Sequence, residues 1–298
     1  MAIPSYGKIW NLGHRQTLEL FDGPVTVQEK IDGSYFAFGI LDGRLQCRSK
    51  SALIDMDAPD KMFSRAVEIV KSLEDKLTPN YVYCCEYLQK PKHNTLAYDR
   101  IPQNHLVLFD VEIEPRSERF LDQDQVREIA EHLWLEPCPE FWASNGWDKT
   151  VMPGLLDYPS VLGGQKIEGV VIKNYNKFGI DGKILRGKFV SPSFKEVHTG
   201  DWKERHPGKV DILQQLAHEY RTPARWHKAV QHLRDAGQLT GEPKDIGPLL
   251  KEVNKDVLEE CADEIKEKLL QWAWKSLSRE LTKGFPEWYR GQLGAADD

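Results

Sequence analysis

For roughly the first 190 positions the hydrophobic pattern is mainly that of strands, and beyond about 209 it is that of helices. Val25 and Val27 alternate with polar neighbours in Val25-Thr-Val-Gln-Glu-Lys30, which runs into a tight Asp32-Gly33 turn. Phe36, Phe38 and Ile40 alternate next, and Asp42-Gly43 then supplies a two-residue hairpin signal before Leu45 and Cys47. Strand-like runs return at Tyr81–Leu88 and Leu106–Ile113. Between them Met62, Ala66, Ile69, Val70 and Leu73 fall at helical spacing with Asp60 as a cap, and a further helix is predicted around Asp122–Trp134. Two more strands carry Glu168 and Lys188. The mixture predicts an α+β domain built on a largely antiparallel sheet.

After Ser191-Pro192 the alternation fades. Ile212, Leu213, Leu216 and Tyr220 form one helical set, and Val230, Leu233 and Leu239 belong to a second segment. Gly247-Pro248 is predicted to open a long helix with Leu250, Val253, Val257, Cys261, Ile265 and Leu269 on one side. Two domains are therefore expected, 1–200 and a small all-α domain over 201–298.

Composition narrows the class. The chain has 298 residues, 40% of them hydrophobic, enough for a sizeable core. It has no apolar run of membrane-spanning length and no signal-peptide pattern. The five cysteines lack zinc-ligand spacing and are odd in number, which reads as reduced thiols in a cytoplasmic protein. A net charge of −6 argues against a general polyanion binder, although local basic clusters remain compatible with it.

The candidate chemistry begins at Lys30, an amine at a strand end before the Asp32-Gly33 turn. Downstream stand Arg48 in Leu45-Gln-Cys-Arg-Ser-Lys50, Glu86 ending Tyr81-Val-Tyr-Cys-Cys-Glu86, and Asp110 after Leu106-Val-Leu-Phe109. Glu168 opens Glu168-Gly-Val-Val-Ile-Lys173, and Arg186 and Lys188 lie in Ile184-Leu-Arg-Gly-Lys-Phe-Val190. In this order and spacing the elements resemble motifs I, Ia, III, IIIa, IV and V of the covalent nucleotidyltransferase superfamily of ATP-dependent ligases and capping enzymes. The resemblance implies an ATP-grasp-like, antiparallel-sheet adenylyltransferase domain. It also implies ATP and Mg²⁺ (or Mn²⁺), with Lys30 taking AMP as a phosphoramidate.

A free lysine is protonated at neutral pH, so its pKa must fall before it can attack. Arg186 and Lys188, two residues apart in a strand and thus on one face, are suited to lower it and to grip the α-phosphate. By the same resemblance Glu168 is the metal carboxylate, Glu86 accepts from the ribose and Phe109 stacks on adenine. Arg48 holds a phosphate or the ribose edge, Asp32 and Gly33 shape the turn, and Glu29 assists near the base. Lys173 has the opposite strand parity to Glu168, so it reaches the same pocket only if the strand is bulged.

DNA ligases and capping enzymes follow these motifs with an OB-fold, whose short alternating strands are missing here. A helical C-terminal domain is instead similar to the RNA-ligase-2-like family, which seals nicks in duplex RNA by joining 3′-hydroxyl and 5′-phosphate ends. That family places a Lys-x-Lys pair where this chain has Arg186 and Lys188. The segment 202–234 holds Lys203, Arg205, Lys209, Arg221, Arg225, Lys228 and Arg234 among aromatics. Arg221, Arg225 and Lys228 are expected to contact RNA phosphates. A monomer without membrane association is expected. The alternatives are a DNA ligase or capping-type enzyme lacking an OB-fold, and a non-catalytic protein that binds RNA ends.

Overall fold

The computed structural model describes residues 1–143, 146–191, 194 and 212–294. The chain divides into two compact units, one formed by Met1–Lys195 with His227–Leu249, the other by the remainder.

The first unit holds two sheets. One has five strands in the order β1 (Trp10–Asn11), β11 (Ile184–Val190), β10 (Gly169–Phe178), β2 (Thr26–Lys30) and β9 (Glu140–Phe141). The other has six, in the order β5 (Leu53–Ile54), β4 (Arg44–Ser49), β3 (Ser34–Leu41), β6 (Val82–Tyr87), β7 (Leu106–Glu112) and β8 (Glu136–Pro137). Every pairing is antiparallel except β1 with β11 and β7 with β8. Asp42 and Gly43 both take positive φ (51° and 69°), the conformation a two-residue hairpin between right-twisted strands requires.

Each sheet buries one face on its own core. Phe36, Phe38, Tyr83, Cys85, Leu106 and Leu108 of the six-stranded sheet pack under α1 (Ser64–Leu73) and α2 (Gln123–His132). Asp122 caps α2 with a reciprocal box to Gln125. Helix α1 begins at Ser64, later than the expected Asp60 cap, whose carboxylate accepts from the Met62 amide one turn earlier. Val27, Val170, Ile172 and Leu185 of the five-stranded sheet pack on Leu20 and on α3 (Met152–Leu155). The two remaining faces meet each other, and the polar groups between them form the site described below.

In the second unit α4 (Ile212–Tyr220) places Leu216 and Tyr220 against Cys261, Val257, Ile265 and Leu269 of α6 (Ile246–Leu281). Helix α6 starts at Ile246, just ahead of the predicted Gly247-Pro248, and a 3₁₀ turn at Pro243–Asp245 leads into it. Helix α7 (Phe285–Gly294) follows. The boundary expected at 200/201 lies outside the described residues. The structure differs from the expected unbroken 201–298 domain, because His227–Leu249 belong with the first unit. Side chains of α5 (Pro223–Asp235) explain this: Gln231 donates to the Gly33 carbonyl at 2.6 Å and the Ser34 hydroxyl donates to Asp235 at 3.1 Å. No helix among the described residues is long and apolar enough to cross a membrane.

Candidate active site

Strand register assembles the site. Lys30 pairs with Gly169, Val171 with both Gln28 and Lys188, and Lys173 with both Thr26 and Arg186. Residues paired directly share a face and the face repeats every second residue. Gln28, Lys30, Lys173, Arg186 and Lys188 therefore all turn toward the six-stranded sheet. Glu168 precedes the first ladder residue, Gly169, so strand parity does not bind it. The conflict expected between Glu168 and Lys173 does not arise.

At the Lys30 end, the amine donates to Glu168 Oε2 at 2.8 Å, with Glu168 8% and Lys30 26% exposed. Burial would lower the Lys30 pKa, but Glu168, then Glu86 and Asp32, raise it, and the net shift is upward from the ordinary lysine value. This reverses the expectation that Arg186 and Lys188 depress it, because the charges acting most strongly on the amine are carboxylates. Burial pushes the Glu86 carboxyl up to about 8, with Lys30 opposing and Glu168 reinforcing the shift. Lys188 is close enough to act electrostatically on Glu168.

The turn below Lys30 is pinned. Asp32 accepts from the Thr95 and Leu96 amides at 2.8 and 2.7 Å, and its own amide donates to the Tyr98 hydroxyl at 2.8 Å. A Cβ on Gly33 would lie 2.7 Å from both Glu86 Cγ and the Tyr87 carbonyl, so only glycine fits there.

The second cluster lies along the sheet, about 13 Å away at four residues of strand rise. Lys173, 2% exposed, is ion-paired with the wholly buried Asp110 at 3.0 Å. It also donates to Gln28 at 2.6 Å and to the Phe109 carbonyl at 3.2 Å, and lies 4.8 Å from the Phe109 ring centroid. Asp110 further accepts from the hydroxyls of Tyr175, at 2.6 Å, and Tyr6. Phe109, half-buried, meets Tyr6 edge-on at 5.4 Å between centroids. Arg186 is 1% exposed and stacks 4.2 Å from the Tyr6 ring, with Glu118 at 3.3 Å. Arg186 thus holds the N-terminal segment rather than joining Lys30, a correction to its expected role beside the amine. Arg48, half-buried, donates to the Ile3 carbonyl at 3.4 Å.

Two further expectations are corrected. Glu29 lies on the opposite face of β2 from Lys30, accepting from Ser160 Oγ at 2.5 Å and the Val161 amide at 3.1 Å, so its carboxylate does not enter the pocket. Arg225 is 1% exposed and ion-paired to Asp256 and, at 3.7 Å, to Glu260, so it is no phosphate contact. Arg221 is exposed and Lys228 half-buried, while Lys203, Arg205 and Lys209 lie outside the described residues.

Tyr6, Gln28, Tyr175, His93, Ser34 and Asp235 were not singled out as site residues from sequence. Only Gln28, two positions before Lys30 in the same strand, carried a local signal. Among the described residues, no group of three or more metal-ligating side chains is gathered in one place.

Residues 23–195, more than half of the chain, match the RNA ligase family. The chain belongs to the RNA ligase family. Every candidate position from Glu29 to Lys188 falls within that matched region. Among solved structures, the chain is similar to Naegleria gruberi RNA ligase with PPi, at 14% identity and a TM-score of 0.49, covering 70% of this chain and 59% of that one. Mutants of that ligase solved with ATP and Mn and with AMP and Mn each give 15% identity and a TM-score of 0.49, over 64% of this chain and 57% of theirs. The chain thus spans less than two thirds of the length of these structures. No curated protein matches.

Proposed function

We propose that this RNA ligase family member is an ATP-dependent RNA ligase that joins 3′-hydroxyl to 5′-phosphate ends, at nicks in duplex RNA, through a lysyl–AMP intermediate. The observation that carries the proposal is the Lys30–Glu168 pair at 2.8 Å between the sheets, beside the half-buried Glu86. An amine held this way has a fixed position and direction, which covalent catalysis needs.

Lys30 Nζ gives up a proton to solvent and attacks the α-phosphorus of ATP, and a second proton follows it to solvent as the amine becomes a phosphoramidate. The N–P bond forms, the bond to the bridging oxygen breaks, and pyrophosphate leaves. Lys188, on the same face, offsets charge building on the phosphoryl oxygens. Glu86 accepts from the ribose hydroxyls, and Phe109 offers its face to the base. The AMP then passes to an RNA 5′-phosphate, and the adjoining 3′-hydroxyl displaces it to seal the phosphodiester.

A divalent cation would neutralise the triphosphate. Glu168 suits it as a single hard oxygen donor, since such ions take one or two carboxylates with phosphate oxygens and no dedicated cage. The ATP, AMP and Mn in the Naegleria gruberi ligase structures support this choice of nucleotide and metal class. Arg221 and Lys228 remain the candidates for RNA backbone contact.

Intact mass after incubation with ATP and Mg²⁺ tests the first step. A gain of one adenylyl group that vanishes in Lys30→Ala is expected, with Lys30→Arg equally inactive because its guanidinium stays protonated. No gain in the wild type overturns the proposal in favour of an RNA-end binder. Sealing of matched nicks in all-RNA, all-DNA and hybrid duplexes tests the substrate, and a preference for DNA overturns that part.

A further inference from the structure

The turn that follows Lys30 is gripped from two directions, and one grip comes from far along the chain. The Gly33 carbonyl accepts from Asn94 Nδ2 and from Gln231 Nε2, each at 2.6 Å. Ser34, fully buried, donates to Asp235 Oδ1 at 3.1 Å and lies 3.0 Å from His93 Nε2. His93 Nδ1 accepts from the Gln89 amide at 3.0 Å, which places the neutral ring's proton on Nε2. The result is a directed chain: His93 donates to Ser34, and Ser34 donates to Asp235. Neither Gln231 nor Asp235 belongs to the motifs that define the nucleotide site.

This bracket bears on Lys30 because there is no slack beside Gly33. The space where a Gly33 Cβ would stand is already taken by Glu86 Cγ and the Tyr87 carbonyl, each 2.7 Å from it, so the Gly33–Ser34 peptide has little room to shift on that side without disturbing Glu86. Asp235 is also near enough to Glu86 to act on its charge.

We infer that Asp235 is a positioning residue for the lysine turn: through the Ser34 hydroxyl, and with Gln231 beside it, it fixes the Gly33–Ser34 peptide and so the direction of the Lys30 amine. The inference deepens the ligase reading and rests on it for the reaction, though not for the geometry. Burial pushes the Asp235 carboxyl up to about 7, while the Ser34 hydrogen bond, Arg234 and Lys50 oppose that rise and Asp60 adds to it. Burial lowers His93 to about 4, which keeps its ring neutral through the same range. Asp32, Arg234 and Lys90 also act on His93, and His232 is bonded to Lys50 at 2.9 Å. The Ser34–Asp235 bond therefore gains charge assistance as pH rises through 7.

The experiment uses the full chain as wild type, Ser34→Ala, Asp235→Ala and Asp235→Asn, between pH 6 and 9. Two rates are measured: adenylyl gain from ATP and Mg²⁺, and acylation of Lys30 by a small neutral reagent without nucleotide, both read by mass. Ser34→Ala and Asp235→Ala are each expected to slow both rates about tenfold, the worth of one charge-assisted hydrogen bond, with the KM for ATP within about twofold. Asp235→Asn keeps an acceptor without charge, so its rate relative to wild type should be near one at pH 6 and fall about fivefold by pH 8.5. A role only in stability would leave that ratio flat with pH, and a flat ratio overturns the inference. Lys30 acylation that is alike in all four proteins also overturns it, whatever adenylyl transfer does. A wild type that shows the acylation pattern but takes no adenylyl group refutes the ligase reading and upholds the positioning role.

Discussion

Arg225 offers the sharpest test of how burial changes the meaning of a basic residue. Its guanidinium is withdrawn from solvent and faces two acids, Asp256 in direct contact and Glu260 at 3.7 Å. Replacing it with methionine keeps most of the volume and takes the guanidinium away from both acids. At 3.7 Å and an effective dielectric near 20, Coulomb's law gives about 4–5 kcal/mol for the Glu260 interaction alone. Removal of one member of a buried ion pair costs about 3–5 kcal/mol in measured cases, so both routes put the loss near 4 kcal/mol. The cluster ties α5 to α6, and hydrogen exchange over residues 250–269 is the readout that isolates the second unit from the first. Arg225→Met should speed exchange there by about three decades, and adding Asp256→Asn with Glu260→Gln should recover most of it. RNA affinity across a salt series supplies the contrasting measurement. A phosphate contact at Arg225 would lower the slope of log affinity against log salt by about one. The reasoning fails if Arg225→Met keeps wild-type protection and loses that unit of slope.

Two other expectations follow from the site. The Glu86 carboxyl sits at about 8 in the folded chain against an ordinary value near 4.3, so folding favours its protonated form. Its contribution is then most favourable at low pH, declines from about pH 4 to 8 and is flat above; Glu86→Gln should remove that decline, and urea unfolding between pH 5 and 9 would show an unchanged slope if the assignment is wrong. Arg186→Lys would restore the paired lysines of similar ligases yet lose the stacking on Tyr6 and Phe120. A loss of about 1–2 kcal/mol in thermal unfolding is expected, and a more stable variant would contradict the packing role.

Much of the first unit could be read from local pattern, for identifiable reasons. Period-two alternation marks strands such as β3, and Asp42-Gly43 demands left-handed backbone that few other residues accept. The proximity of Lys30 and Glu168, 138 residues apart, follows from strand pairing once both strands are seen to end at the same rim. What stayed hidden depends on tertiary neighbours. A basic residue on a helix looks alike whether it faces water or, as Arg225 does, two acids from another helix. The Arg186–Lys188 spacing fixes a shared face but not which groups stand opposite, and Tyr6 stands opposite Arg186. The depressed pKa expected of Lys30 rests on nearby cations and desolvation; burial does lower it, but the folded chain brings carboxylates closer and they outweigh it. Nor could hydrophobic spacing foretell that Gln231 and Asp235 return to the Gly33–Ser34 turn, since that contact is made by polar atoms.

The carboxylate of Glu29, lodged against Ser160 and Val161 behind the sheet, guards an identity it has no part in using. Sliding β2 by one residue would exchange its faces, presenting an acid to incoming nucleotide and sending the amine into the apolar core behind. By latching the strand at the adjacent residue, the fold makes that error costly, so the nucleophile is chosen by a neighbour facing the other way.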